Sequence, residues 1–163
     1  MSVWEVVMAT LASEFADVSD IEMGTRITLR LVLAAILGGL LGYERESHGQ
    51  SAGVRTHMLV ALGAALFVVV PEQAGALEDA MSRVVQGVIA GVGFLCAGTI
   101  LKGDSMTEVR GLTTAAGIWL TAAIGVAAGV GYEITALITA LLALFVLNIV
   151  PMLLDKKKSP PLQ

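Results

Sequence analysis

The sequence predicts an all-α membrane protein, a bundle of five apolar transmembrane helices preceded by an N-terminal amphipathic helix. Three observations lead there. The 163 residues are 56% hydrophobic with a mean hydropathy of +0.82, more apolar than a soluble domain of that size needs. Eighteen glycines and only 5% aromatic residues suit helices that approach closely in lipid. Charges are segregated, so a net charge of −4 conceals long segments with none. Those segments run continuously, unlike the alternating stretches of about ten residues in a β-barrel strand. The single cysteine, Cys96, excludes an internal disulfide. The start carries Glu5 and Glu14 and lacks the basic region of a secretory signal peptide.

Three regions follow. Residues 1–24 form the amphipathic helix and an acidic link: Trp4, Val7, Met8, Leu11 and Phe15 share one face, with Glu5, Ser13, Glu14 and Asp17 away from it. Residues 25–154 carry the spans, at 26–43, 56–71, 84–101, 111–131 and 134–154. The first is near the lower limit of about 17 residues for crossing hydrocarbon. Residues 155–163 form a basic tail with Lys156, Lys157 and Lys158. Arg45 and Arg55 in the first link, Lys102 and Arg110 in the third, and the tail lysines share one side when the spans number five. The positive-inside rule then puts the N-terminus outside and the C-terminus inside.

Small residues suggest where helices touch. Gly38 and Gly42 make a small-xxx-small face on the first span, and Gly87, Gly91 and Gly98 line one face of the third. The second stripe predicts a partner helix at backbone distance, and both allow a homodimer. A weak internal repeat pairs Arg30 and Gly38 with Arg83 and Gly91 at equal intervals, as two helical hairpins related along the membrane normal would.

Charge inside or beside a span is costly, so it marks candidate sites. Residues 42–57 gather two Glu, two Arg and two His between apolar runs. Glu44 ends an apolar helix and needs a cation there, or its proton stays on. Arg55 and Arg110, which open spans at the same level, are the expected partners. Thr56, His57, Thr113 and Thr114 stand ready to hydrogen-bond beside them. Arg45 and Glu46 read as a solvated helix end. Arg30, one turn inside the first span, either snorkels to the headgroups or pairs within the bundle. Glu44, Glu46, Asp104 and Glu108 are the oxygens on the side where a magnesium site would form, but each has a basic neighbour in sequence. Nucleotide loops, zinc motifs and nucleophile triads are absent, so neither an enzyme nor a cofactor is expected, and no nucleic-acid partner.

At LGGLLGYERE (37–46), AGVRTHMLVALGAALF (52–67), GVGFLCAGTIL (91–101) and VRGLTTAAGIWLTAAIG (109–125) the chain resembles the MgtC/SapB family of bacterial membrane proteins. The resemblance covers most of residues 30–131. It implies an inner-membrane protein tied to growth in scarce magnesium and to virulence, with a membrane ATP synthase as one implied partner beside the lipid bilayer. Many relatives carry a soluble C-terminal domain, and this sequence reads as a short form lacking it. Cys96 stands where the family motif usually has Gly. The expected function is regulatory, by binding a membrane partner or ligand through the cytoplasmic polar face. The alternative is a transporter of magnesium or another ion with Glu44, Arg55 and Arg110 in a cytoplasmic vestibule.

Overall fold

A computed structural model of the chain describes residues 2–16, 18, 20–102 and 109–155. Asp17, Asp104, Glu108 and the lysines at 156–158 lie outside the described residues. The helices in order are α1 (Val3–Glu14), α2 (Ile21–Ser47), α3 (Val54–Gln73), α4 (Glu78–Ala97), α5 (Leu112–Val130) and α6 (Glu133–Asp155). Between α4 and α5, β1 (Leu101–Lys102) pairs antiparallel with β2 (Val109–Arg110). Five helices, α2 to α6, are long and apolar enough to cross a membrane.

α1 starts on a capping box. The Ser2 hydroxyl accepts from the Glu5 amide at 3.3 Å, and the Ser2 amide donates to the Glu5 carboxylate at 2.7 Å. No α1 residue is buried, so its apolar stripe does not pack on the bundle. Asp20 caps α2 by accepting from the Met23 amide at 2.6 Å. α2 does not stop at Tyr43. Ala34, Gly38, Leu41 and Arg45 continue one buried stripe at helical spacing, and the helix runs on to Ser47. The charged hinge therefore shrinks to residues 48–53. α4 is shifted the other way: it begins at Glu78 and ends at Ala97, because Gly98 and Thr99 form a turn leading into β1.

α2, α3 and α5 meet at backbone distance. A Cβ on Gly38 would lie 2.5 Å from the His57 carbonyl oxygen, and one on Gly42 would lie 2.6 Å from the Val54 Cα. From the other side, Gly129 faces the Ala65 carbonyl, where a Cβ would come to 2.6 Å, and Gly125 meets the Ala61 backbone closer still. Lipid tails are as apolar as Leu, so such contacts hold membrane helices through dispersion rather than through exclusion of water. α6 adds Ala136, Ala140 and Ala143 to the same core.

α4 stands apart. Only 6% of its apolar window is buried, against 39%, 33% and 50% for α2, α3 and α5. Its one buried residue is Cys96, whose thiol donates to the Ala115 carbonyl of α5 at 3.1 Å. The side chain at 96 thus fills the contact between α4 and α5. Contrary to expectation, Gly87 and Gly91 touch no partner helix among the described residues: a Cβ on either meets nothing of them within 4 Å. Gly98 sits in the turn after α4 rather than on its stripe. A cleft of about 520 Å³ separates α4 from α3, with Gly63, Gly87 and Gly91 on its walls. The repeat suggested by equal intervals has no counterpart in packing, since Gly38 is buried while Gly91 is open, and Arg30 is buried while Arg83 is exposed.

Overpacking a close contact typically costs about 1–3 kcal/mol. Gly42→Leu is therefore expected to lower the thermal midpoint of the purified protein in detergent by several degrees. Gly91→Leu, placed against open space, should leave it near the wild-type value.

Candidate functional site

At the end of the bundle where α3 finishes, Arg30 enters the protein rather than snorkelling. It is 9% exposed. Its Nη1 donates to the Glu72 carboxylate at 2.6 Å and to the Gly129 carbonyl at 3.0 Å, and its Nε lies 3.8 Å from Glu133. One guanidinium thus ties α2 to the ends of α3 and α5 and the start of α6. Gly131 makes room for it: φ is +91°, a left-handed turn, and any Cβ there would strike the guanidinium.

The opposite end holds the charged hinge. Glu44 is 6% exposed, and so is Arg45, contrary to the solvated helix end expected there. The correction follows from α2 continuing: one residue further round the helix, Arg45 falls on the Gly38–Leu41 stripe. Glu44 pairs with Arg45 at 3.6 Å and lies 3.1 Å from His48 Nδ1. The expected partners stand elsewhere: Arg55 is exposed on the first turn of α3, and Arg110 is exposed on β2. Glu46 is exposed as expected, but its carboxylate accepts the Val54 amide at 2.9 Å and so caps the N-terminus of α3. Arg55 and Thr56 line a shallow polar cup with Glu46, Gln50 and Ser51. The Thr114 hydroxyl donates to the Gln50 side-chain carbonyl at 3.2 Å, tying the hinge to α5. Among the described residues, no three His, Cys, Asp or Glu side chains gather as a metal site would need.

His57 lies at the centre of this end. It has no exposed surface, and its Nδ1 is 2.9 Å from the Gly53 carbonyl. A carbonyl only accepts, so Nδ1 donates to it, and Nε2 is the ring's other polar atom. That atom has no hydrogen-bond partner among the described residues, and neither has Arg45 Nε. Arg45, His57 and Thr113 stand at one end of a cavity of about 360 Å³ between α2, α3, α5 and α6.

Of the residues singled out from the sequence, Glu44, His57 and Thr114 are buried, and Thr113 lines the cavity. It missed Arg45, the carboxylates of Glu72 and Glu133, and the packing glycines Gly125 and Gly129. The helical register past Tyr43 carried the signal for Arg45. The four-residue spacing of Gly125 and Gly129 carried the signal for the α3 contact.

A buried ion pair resists the loss of one partner more than the loss of both. Arg45→Met is expected to destabilise by about 3–5 kcal/mol, and adding Glu44→Gln should restore most of it. Unfolding of the single and double variants in mixed micelles checks this. Equal stability of Arg45→Met and the exposed Arg55→Met would contradict it.

The MgtC family model matches residues 31–155. The chain is 50% identical over 116 residues to Protein SrpB of Synechococcus elongatus, covering 64% of each chain. It is 40% identical over 134 residues to the Putative magnesium transporter YhiD of Escherichia coli, covering 78% of this chain and 61% of that one. It is 46% identical over 98 residues to Protein MgtC of Brucella abortus, covering 60% of this chain and 40% of that one. The chain therefore spans less than two thirds of these curated relatives' length. No solved structure matches. With five apolar spans and a family match over nearly all of them, the chain is a multi-pass bacterial membrane protein that belongs to the MgtC family.

Proposed function

We propose that this protein is a non-enzymatic regulator in the response to scarce magnesium, acting by holding a transmembrane helix of a membrane partner in the cleft between α3 and α4. The carrying observation is the open glycine face of α4. Gly87 and Gly91 present bare backbone, and a helix with small residues of its own can approach such a face closely. The cleft of about 520 Å³ lies alongside it. The charged hinge is less suited to dock a protein, because Glu44 and Arg45 are buried and satisfy each other's charge. The proposed partner is a membrane complex, for which a membrane ATP synthase is one candidate by family resemblance. A second copy of this chain is the other occupant to be tested.

Leucine at positions 87 and 91 blocks the cleft without touching the core. The double variant Gly87→Leu/Gly91→Leu is expected to fold and reach the membrane normally, yet fail to restore growth in limiting magnesium to a strain lacking its own family member. Restored growth would overturn the docking role. Loss of a dimer band in the same variant would identify the second copy as the occupant.

A second reading is favoured by one relative, whose name calls it a putative magnesium transporter. Purified protein in proteoliposomes separates the two. The regulatory reading expects no magnesium flux. Flux that disappears in Glu44→Ala would replace it with transport.

A further inference from the structure

The bundle leaves α1 uncovered. None of its residues is buried. Trp4 and Phe15 are 71% and 83% exposed, and Val7, Met8 and Leu11, on the same face, are exposed between them. A lone helix of 12 residues is marginal in water, because its few hydrogen bonds barely offset the cost of starting it. An apolar stripe facing water adds to that cost. A stable α1 therefore needs a surface that this bundle does not supply.

Its tether says which surface is in reach. The chain from 15 to 20 joins α1 to α2 and spans at most roughly 25 Å. At the start of α2, Glu22 and Arg26 pair in solvent at 2.7 Å, which marks the level where that helix leaves the hydrocarbon. Val18 lies against the first turns of α2: a Cβ on Gly24 would come to 3.1 Å from it. A contact of this kind sets the angle at which a chain enters a helix. The lipid-facing stripe of α2 runs through Ile21, Leu29, Val32, Ile36 and Leu40, all exposed. Phe15 and Val18, exposed as well, carry that apolar surface back along the chain towards α1. Twelve residues are too few to cross a membrane, which takes about 20. Glu5 and Glu14, both exposed, also keep α1 out of the hydrocarbon.

We infer that α1 lies flat in the headgroup layer of the leaflet where α2 begins, and that the bilayer itself, not a protein, covers its apolar face. Trp4, Val7, Met8, Leu11 and Phe15 turn to the acyl chains. The indole N–H of Trp4 stays among the polar headgroups, where such amphipathic rings settle. The family model begins at residue 31, so this arm lies outside the matched region. It is separate from the α3–α4 cleft and does not depend on the regulatory reading.

Trp4 reports its own position. The chain has two tryptophans, so Trp119→Phe leaves Trp4 as the sole emitter. The full chain is placed one copy per nanodisc of zwitterionic lipid, with bromine near the carbonyl end or near the tail end of the acyl chains. The expected result is stronger quenching by the carbonyl-end bromine, as for a ring about 5–10 Å into the boundary. Val7→Glu/Leu11→Glu, which alters no buried residue, should keep the thermal midpoint and lose that quenching. Trp4 quenched by neither lipid would overturn the inference, whether aqueous iodide reaches the ring or a protein surface shields it. Stronger quenching from the tail end would contradict a helix lying at the surface. A folded Val7→Glu/Leu11→Glu that keeps the wild-type quenching would show that the apolar face is not what holds α1 there.

Discussion

The approach of α2, α3 and α5 to backbone distance is the constraint on which the rest of this molecule depends. Gly38 and Gly42 on one side, and Gly125 and Gly129 on the other, leave α3 no freedom to slide. Their contacts run along the length of α3, from Val54 near its start to Ala65. That locks the register of His57 between α2 and α5 and turns Arg45 inward beside it. It also decides what is left out. With both faces of α3 occupied over much of their length, α4 packs on α5, where Cys96 and Val92 meet Ala115 and Ile118, and keeps its glycine face open.

The two ends of the bundle handle charge differently. Arg30 answers to Glu72, Glu133 and a backbone carbonyl, with both carboxylates about half exposed. That arrangement binds four helices together while its acids stay in contact with water, which limits the desolvation cost. The hinge end buries both members of its pair, Glu44 and Arg45, and adds His57, whose Nε2 has no hydrogen-bond partner among the described residues. A site built only for stability would have little reason to bury so many polar groups with so few bonds among them.

Much of the architecture was legible in the sequence because hydropathy and charge act over whole segments. The five spans, the small-residue face at Gly38 and Gly42, and the inward placement of Glu44 follow from physics that needs no tertiary information. The misses have a common cause. Arg45 was read as solvated because the apolar run ends at Tyr43, yet a helix ends where its hydrogen bonds do, and α2 carries on to Ser47. Gly87 and Gly91 share the four-residue spacing of Gly125 and Gly129, but one stripe is open and the other is packed. Spacing shows that close approach is allowed; it does not say which helix arrives. The partners of Arg30 lie on elements far apart in the chain, and pairings of that range come only from the fold.

The most direct test of the central claim is to ask whether the α4 glycine face is open in a single copy of the protein. A nitroxide label at position 91, introduced as Gly91→Cys in a Cys96→Ala background, can be studied with one protein per lipid nanodisc. Its collision rate with oxygen is then compared with labels at Leu141, exposed on α6, and at Ala65, buried in the core. The expected result is a rate close to that at Leu141. A rate as low as that at Ala65 would mean that α4 is already packed against its own chain, leaving no face for a partner to fill.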